Sequence, residues 1–224
     1  MDSLYSIAGC SLALVAGIWV LVAVAGSLPV VSLSRAQLEP LKSRQAEDAL
    51  ARIMVDGIVD ADWASANGFE PLGVFRAENM AGSPLIVAWA RSGERTYLCA
   101  YLVANNAPLV DFVTILDQGV LTTGKSKDGQ LLPSSPDCFT QTFTATTAVL
   151  WRHHQTGLKV LATKRRVLPL SGEGFLEEDF IEAMSRQADY VRSLVLWPLR
   201  IPYWFFVRRH MRHGKPVMQW LGRH

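Results

Sequence analysis

Residues 84–103 read PLIVAWARSGERTYLCAYLV, and this stretch decides the fold class. Two runs rich in β-branched and aromatic residues, 84–90 and 95–103, stand on either side of the polar sequence RSGE. A short glycine-containing connection between two such runs is typical of a β-hairpin. The stretch therefore predicts two neighbouring antiparallel strands.

The strand pattern continues on both sides of this hairpin. Upstream, residues 72–77 form a short strand candidate, and downstream, 109–116 and 120–123 flank the sequence DQG and predict a second hairpin. After a polar loop over 125–136, phenylalanine and glutamine alternate with threonine within 138–146, which indicates one more strand with one buried face. Because these strands follow one another without long crossovers, they predict an antiparallel meander.

The segments before and after the predicted strands have the periodicity of helices. Apolar residues recur at intervals of three and four over 38–59, 147–163 and 171–197. Acidic residues within 173–179 favour the positive end of the dipole of the third helix. We therefore expect the α+β class: an N-terminal single transmembrane helix, then a domain with an antiparallel meander sheet of five or six strands flanked by helices.

The transmembrane helix is predicted from residues 3–34, which contain no charged side chain. Their centre, residues 7–31, is almost wholly apolar and exceeds the roughly 20 residues that a helix needs to cross the hydrocarbon core. The alternatives are a cleaved secretory signal, a lipid-modified Cys10 and a buried helix of the domain. The flank before the apolar run has Asp2 and no basic residue, and the run follows Cys10 instead of preceding it. Both features favour a membrane-spanning helix over a signal.

Basic residues after the apolar segment predict its orientation. Arg35, Lys42, Arg44 and Arg52 all follow it, whereas no Lys or Arg precedes it. Because Lys and Arg stay on the cytoplasmic side of a span, we expect a single-pass protein of the cell (inner) membrane with its domain on the cytoplasmic side. The two cysteines of the domain are then expected to be reduced and buried, whereas the opposite orientation would allow a disulfide between them.

The chain divides by composition into a transmembrane helix with a short flank (1–34), an α+β domain (35–193) and an aromatic and basic tail (194–224). Residues 200–224 carry six Lys or Arg and no acid. Aromatic rings beside basic residues are typical of a segment that lies at the headgroups of an anionic leaflet, and the alternative is that the rings pack against the domain. The residues predicted for the membrane interface are Trp197, Arg200, Tyr203, Trp204, Phe205, Phe206, Arg208, Arg209, Arg212 and Lys215.

One sequence motif suggests nucleotide binding. Residues 119–126, GVLTTGKS, match the phosphate-loop pattern G-x-x-x-x-G-K-[ST]. Such a loop must lead into a helix whose N-terminus completes the anion site. Here the residues between the glycines are typical of a strand, and Gly129 and Pro133 follow. We therefore interpret the match as a β-strand edged by glycines and expect no cofactor.

Other candidate sites depend on pairs of residues. Asp60 and Asp62 resemble the start of a calcium loop, but the later Gly and Glu of that loop are absent, so we interpret them as solvated acids at a helix end. The adjacent His153 and His154 point in different directions on a helix, so one is expected to be packed and the other exposed. No metal site is expected. Thiol and acidic side chains of the strands could converge on one sheet face as a nucleophile or base, namely Cys99, Cys138, Asp111 and Asp117.

These observations favour a non-enzymatic role. We expect a membrane-anchored binding or scaffold protein, such as an accessory subunit or assembly factor of a membrane complex. Its expected partners are the lipid bilayer, anionic lipid headgroups and a protein in the membrane. Nucleic acid is not expected, because the basic tail has no nucleic-acid-binding fold beside it. The alternatives are a small-molecule or lipid sensor, or an enzyme, with a pocket between the sheet and the helices.

Overall fold

A computed structural model of the chain describes Gly17, residues 36–79, 84–103, 107–126, Gln130, 132–219 and Leu221. Within these residues one sheet contains seven strands, which lie side by side in sequence order. The strands are β1 (Gln37–Pro40), β2 (Phe69–Glu78), β3 (Leu85–Arg91), β4 (Thr96–Leu102), β5 (Leu109–Leu116), β6 (Gly119–Gly124) and β7 (Cys138–Thr142). Neighbours are antiparallel from β1 to β6, whereas β6 and β7 are parallel.

The α+β class is confirmed, with a mixed sheet in place of the predicted antiparallel meander. Both predicted hairpins are present, as β3–β4 and β5–β6. Strand β1 lies where a helix was predicted from residue 38, because the apolar periodicity begins before the helix does. The chain between β6 and β7 returns to the end of the sheet where β6 starts, so β7 enters parallel to its neighbour.

The helices are α1 (Arg44–Val55), α2 (Ala61–Ala66), α3 (Thr147–Arg165), α4 (Leu176–Ser193), α5 (Trp197–Tyr203) and α6 (Arg209–Arg212), with a π-helical turn (Trp204–Arg208) between the last two. We name the continuous run 197–212 the C-terminal segment. Helix α4 begins later than predicted, because Pro169 and Ser171 form isolated bridges to the sheet. Asp60 does not end a helix but starts α2, where its Oδ1 accepts a hydrogen bond from the backbone N–H of Trp63 at 3.1 Å.

Helices cover both faces of the sheet. Helices α1, α2 and α3 pack on one face, where Trp89 and Phe112 of the strands belong to the same apolar cluster as Trp151 of α3. Helix α4 packs on the other face through Leu176 and Phe180. Because side chains alternate along a strand, each central strand sends apolar groups to both cores. We name the second side the α4 face.

A polar network is buried between α3 and the sheet. The side chain of His154 is fully buried, with Nε2 2.8 Å from Thr114 Oγ1 and Nδ1 2.9 Å from Thr123 Oγ1. Gln141 donates to Thr123 Oγ1 at 2.9 Å and accepts from the backbone N–H of Val217 at 2.9 Å. Burial lowers the pKa of His154 to about 3, so the ring is neutral at ordinary pH. The network therefore links α3, three strands and the residues after the C-terminal segment.

The predicted membrane span, residues 7–31, lies outside the described residues except for Gly17. In the described part of the chain, no helix combines the length and the apolar character needed to cross a membrane.

Candidate functional site

One side of the C-terminal segment packs on the domain. Ile201 is buried in an apolar cluster with Ala188 and Val191 of α4. Trp204 is only 6% exposed, and its indole Nε1 donates to the backbone carbonyl of Gln130 at 3.1 Å. These contacts fix the segment to α4 and to the loop that precedes β7.

Two arginines of the same segment also face the domain. Arg209 is buried, and its guanidinium carbon lies 3.5 Å from the ring centre of Phe205. The guanidinium of Arg212 lies 4.9 Å from the ring centre of Trp204 and donates to Ser134 Oγ at 3.3 Å. Burial lowers the pKa of Arg212. Arg212 thus connects the segment to the loop before β7, whereas the ring contact of Arg209 lies within the segment.

The opposite side of the segment is an exposed apolar surface, which we name the tail face. Its residues, Leu199, Tyr203, Phe206 and Val207, are spaced as i, i+4, i+7 and i+8, which is one face of a helix. All are exposed, Phe206 by 70%. Basic side chains accompany them, and the sequence contains no Asp or Glu after Asp189. Arg200, Arg208 and Lys215 are among the exposed basic residues of this stretch.

The residues predicted for the membrane interface are divided between these two sides. The exposed ones are Arg200, Tyr203, Phe206, Arg208 and Lys215. Those that lie partly or wholly against the domain are Trp197, Trp204, Phe205, Arg209 and Arg212. Packing on the domain therefore accounts for part of the tail, and contact with lipid headgroups stays a prediction for the exposed part.

A second candidate site is a cavity of about 200 Å³ between the sheet and α4, on the α4 face. Its walls are mostly apolar, with Val113 and Val120 from the strands and Phe180 and Met184 from α4. Apolar walls with a few convergent polar groups are typical of small-molecule sites, whose usual volumes are about 300–1,000 Å³. We name this site the sheet cavity. Its volume is below that range, so it suits only a small molecule.

Asp111 brings a carboxyl group to the wall of this cavity. It lies on β5 directly opposite Cys99 of β4 and Gly124 of β6, and it is 9% exposed. A Cβ on Gly124 would stand 2.6 Å from Asp111 Oδ1, so the carboxyl group occupies the space that glycine leaves open. No hydrogen bond or ion pair from the described part of the chain reaches the carboxyl group. Burial raises the pKa of Asp111 to about 7.

The other carboxyl group on the cavity wall, Asp179 of α4, is fully engaged. The hydroxyl of Tyr97 donates to Asp179 Oδ2 at 2.6 Å, and Arg95 Nη2 lies 3.5 Å from Asp179 Oδ1. Burial and this hydrogen bond raise the pKa of Tyr97 above its usual value. A Cβ on Gly174 would come within 2.7 Å of both Asp179 Oδ2 and the Tyr97 hydroxyl. The cluster therefore attaches α4 to β4 and has a structural role.

Three of the residues expected to converge on a sheet face do so. Cys99, Asp111 and Cys138 line the cavity, whereas Asp117 lies in the β5–β6 turn and accepts from the backbone N–H of Leu168 at 3.0 Å. Both cysteines are free and buried. Burial raises the pKa of Cys138 to about 11 and raises the pKa of Cys99 further. Because the thiolate is the nucleophilic form, the raised pKa of both thiols disfavours a nucleophilic role for them at neutral pH.

The remaining motifs have structural roles. The phosphate-loop match begins with β6, in agreement with its interpretation as a strand edged by glycines. Of the two adjacent histidines, His154 is buried as expected, and His153 is half-buried and stacks on Phe143 with ring centres 4.0 Å apart. Among the residues that the structure describes, no group of three or more His, Cys, Asp or Glu side chains could hold a metal ion.

Comparison with known proteins gives no relative for this arrangement. No protein-family model matches the chain, and neither a curated protein nor a solved structure matches it significantly.

Proposed function

We propose that this is a membrane-anchored, non-enzymatic binding or scaffold protein whose domain lies against the anionic cytoplasmic leaflet through the tail face. The observation that supports the proposal is the exposed row of Leu199, Tyr203, Phe206 and Val207 beside basic residues, in a stretch without acids. The N-terminal helix, proposed from the apolar residues 7–31, supplies the anchor. Held at both ends, the domain is suited to serve a protein partner in the same membrane.

The tail face has the composition of an interfacial surface. Amphipathic segments at membranes place an apolar side at the boundary of headgroups and acyl chains, with basic residues on the flank. Tyr203 suits the headgroup level, where rings with a polar tip are enriched. Because Ile201 and Trp204 already fix the segment to the domain, binding to lipid requires little further ordering of the backbone.

Charge adds a contribution that can be measured. Each basic residue near an anionic surface contributes about 1 kcal/mol. Arg200, Arg208 and Lys215 together therefore contribute about 3 kcal/mol, which is about 100-fold in affinity. Salt should weaken this attraction, because the Debye length falls from about 10 Å at 0.1 M to about 3 Å at 1 M.

The test is co-sedimentation of a fragment from Arg35 to His224, which lacks the proposed anchor, with lipid vesicles. We expect binding to anionic vesicles at low salt, weaker binding to neutral ones, and partial release at high salt. Changing Arg200, Arg208 and Lys215 together to Gln should lower the affinity for anionic vesicles about 100-fold. Phe206→Ser should weaken binding to both kinds of vesicle, since it removes apolar area without changing charge.

Matched variants separate the tail face from general charge and hydrophobicity. A triple change of Arg152, Lys159 and Lys164 to Gln removes the same charge from the exposed side of α3 and should have a much smaller effect. Phe175→Ser removes another phenylalanine that is about as exposed as Phe206 and should change nothing. If the folded fragment ignores anionic vesicles at low salt, lipid is the wrong occupant, and a protein partner must cover the tail face.

A further inference from the structure

The sheet cavity shares no lining residue with the tail face, and its chemistry points to a ligand. Two carboxyl groups, Asp111 and Asp179, line it together with apolar side chains. No Lys, Arg or His of the described residues lines it. Asp179 is neutralised by Arg95, whereas Asp111 has no charged or hydrogen-bonding partner in the described part of the chain. The carboxyl group of Asp111 is therefore available to bind a ligand in the cavity.

We propose that this cavity binds a small primary amine with a compact apolar or aromatic body, and that the carboxylate of Asp111 holds its ammonium group. A carboxylate accepts hydrogen bonds only, so its complement is a donor, and a cationic donor also neutralises the buried charge. An anionic ligand is disfavoured, because it would face Asp111 with no basic residue nearby.

The other walls match the rest of such a molecule. Tyr101, Thr122 and Thr140 line the same cavity, and a hydroxyl group can accept a further N–H group of an ammonium. The ring of Phe180 on α4 also lines it, and aromatic faces attract cations. The volume of about 200 Å³ limits the body to roughly one ring or a short branched chain.

Gly124 belongs to the proposed site. An alanine there would place its Cβ 2.6 Å from Asp111 Oδ1 and push the carboxyl group from its position. Glycine within a strand is less favourable than alanine, so the glycine at position 124 lowers strand stability while it leaves room for the carboxyl group of Asp111.

The test uses the full chain in lipid nanodiscs, titrated calorimetrically with three probes of similar size: phenethylamine, 2-phenylethanol and phenylacetic acid. At pH 8 we expect phenethylamine to bind at least about tenfold more tightly than the alcohol, because its ammonium group can form a charge-assisted hydrogen bond with the carboxylate. Asp111→Asn should remove this preference and leave binding of the alcohol unchanged. Asp48→Asn, at an exposed position of α1, should leave the preference intact.

Two further measurements sharpen the test. Lowering the pH from 8 to 6 should weaken phenethylamine binding about tenfold, because Asp111 becomes protonated while the amine keeps its charge. The nearby titratable groups, Cys99 and Tyr101, stay protonated over this range because burial raises the pKa of each. Ala183→Phe, which fills the cavity from α4, should abolish binding of the amine and the alcohol alike.

Several results would overturn the proposal. Equal affinity for amine and alcohol, tight amine binding by Asp111→Asn, or preferred binding of phenylacetic acid would each contradict the role of Asp111. Amine binding that survives Ala183→Phe would place the amine elsewhere. The nanodiscs without protein provide the blank for partition into lipid. None of these outcomes bears on the tail face, so this proposal and the membrane proposal can fail separately.

Discussion

Asp111→Asn should make the protein more stable at neutral pH, because it replaces a buried ionisable carboxyl group in the sheet by a neutral amide. The wild-type carboxyl group is 9% exposed, and burial raises its pKa from 3.8 to about 7. In the unfolded chain the group ionises near pH 4, whereas in the folded protein it keeps its proton until pH 7. Folding therefore opposes ionisation, and asparagine has the size of the carboxyl group without its charge.

The magnitude follows from the two pKa values. Between pH 4 and 7 the folded state binds one more proton than the unfolded state, so the free energy of unfolding falls by about 1.4 kcal/mol per pH unit. Below the unfolded pKa, Asp111 costs the folded protein no stability. Above pH 7 the free energy of unfolding is lower by about 4 kcal/mol and no longer changes with pH on account of this group. Between pH 5 and pH 8 the deficit relative to Asp111→Asn should grow by about 2–3 kcal/mol.

The buried imidazole of His154 acts in the opposite sense. Its folded pKa is about 3 against 6.5 in the unfolded chain, so it contributes stability that is present above pH 6.5 and is lost as the pH falls towards 3. Between pH 4 and 6.5 the two slopes nearly cancel in the wild-type protein. The effect of Asp111 therefore appears in the difference between the variant and the wild type, and the wild-type profile alone conceals it.

The assay is urea unfolding of the Arg35–His224 fragment at pH 5, 6, 7 and 8, followed by tryptophan fluorescence for the wild type and Asp111→Asn. Asp48→Asn serves as the control, because Asp48 is exposed and should shift stability by less than about 0.5 kcal/mol at every pH. The free energies of unfolding of the wild type and Asp111→Asn could instead change with pH in parallel from pH 5 to pH 8. The folded protein would then compensate the buried charge of Asp111 itself, and the basis of the proposed amine site would be lost.

Two further predictions concern the buried network and the membrane orientation. Gln141→Leu should destabilise the fragment by about 2–4 kcal/mol in urea unfolding, because it leaves the buried N–H of Val217 without its acceptor and removes the amide that donates to Thr123 Oγ1. Gln219→Leu at an exposed position should be nearly neutral. A reporter that is active only in the cytoplasm should work when fused after His224 of the full chain, as Arg35, Lys42, Arg44 and Arg52 predict. Activity of an extracytoplasmic reporter at that position would instead reverse the proposed orientation.

The elements that the sequence predicted are those defined by local pattern. The hairpins β3–β4 and β5–β6 depend on short connections and alternation, and both are present. Strand β1 has four residues, and it pairs with β2 across the whole of α1 and α2, so nothing local marks it. The direction of β7 depends on the path of residues 125–137, which carry no periodic pattern. Strand pairing between segments that are distant in the sequence therefore could not be predicted from local patterns.

The two candidate sites were predictable to different degrees. In the tail, composition indicated aromatic and basic residues, but Pro198 and Pro202 interrupt the pattern, so the sequence did not show that Trp204 turns inward while Phe206 turns outward. For the cavity, Asp111 was visible as the only acid in the strand sequence LVDFVTIL. Its relation to Gly124 requires the register between β5 and β6, which no sequence pattern specifies.

The two faces of the sheet treat buried polar groups in opposite ways, and this contrast argues for a ligand. On one face, both ring nitrogens of His154 and both ends of the Gln141 amide have partners within the fold, as expected of polar groups that serve structure. On the α4 face, Asp111 has none in the described chain and lies against a glycine that leaves it room. An apolar residue at this position would remove a deficit of about 4 kcal/mol at neutral pH. A fold that needed only stability would gain from that change, so the carboxyl group is best explained by a bound cation that supplies the missing partner.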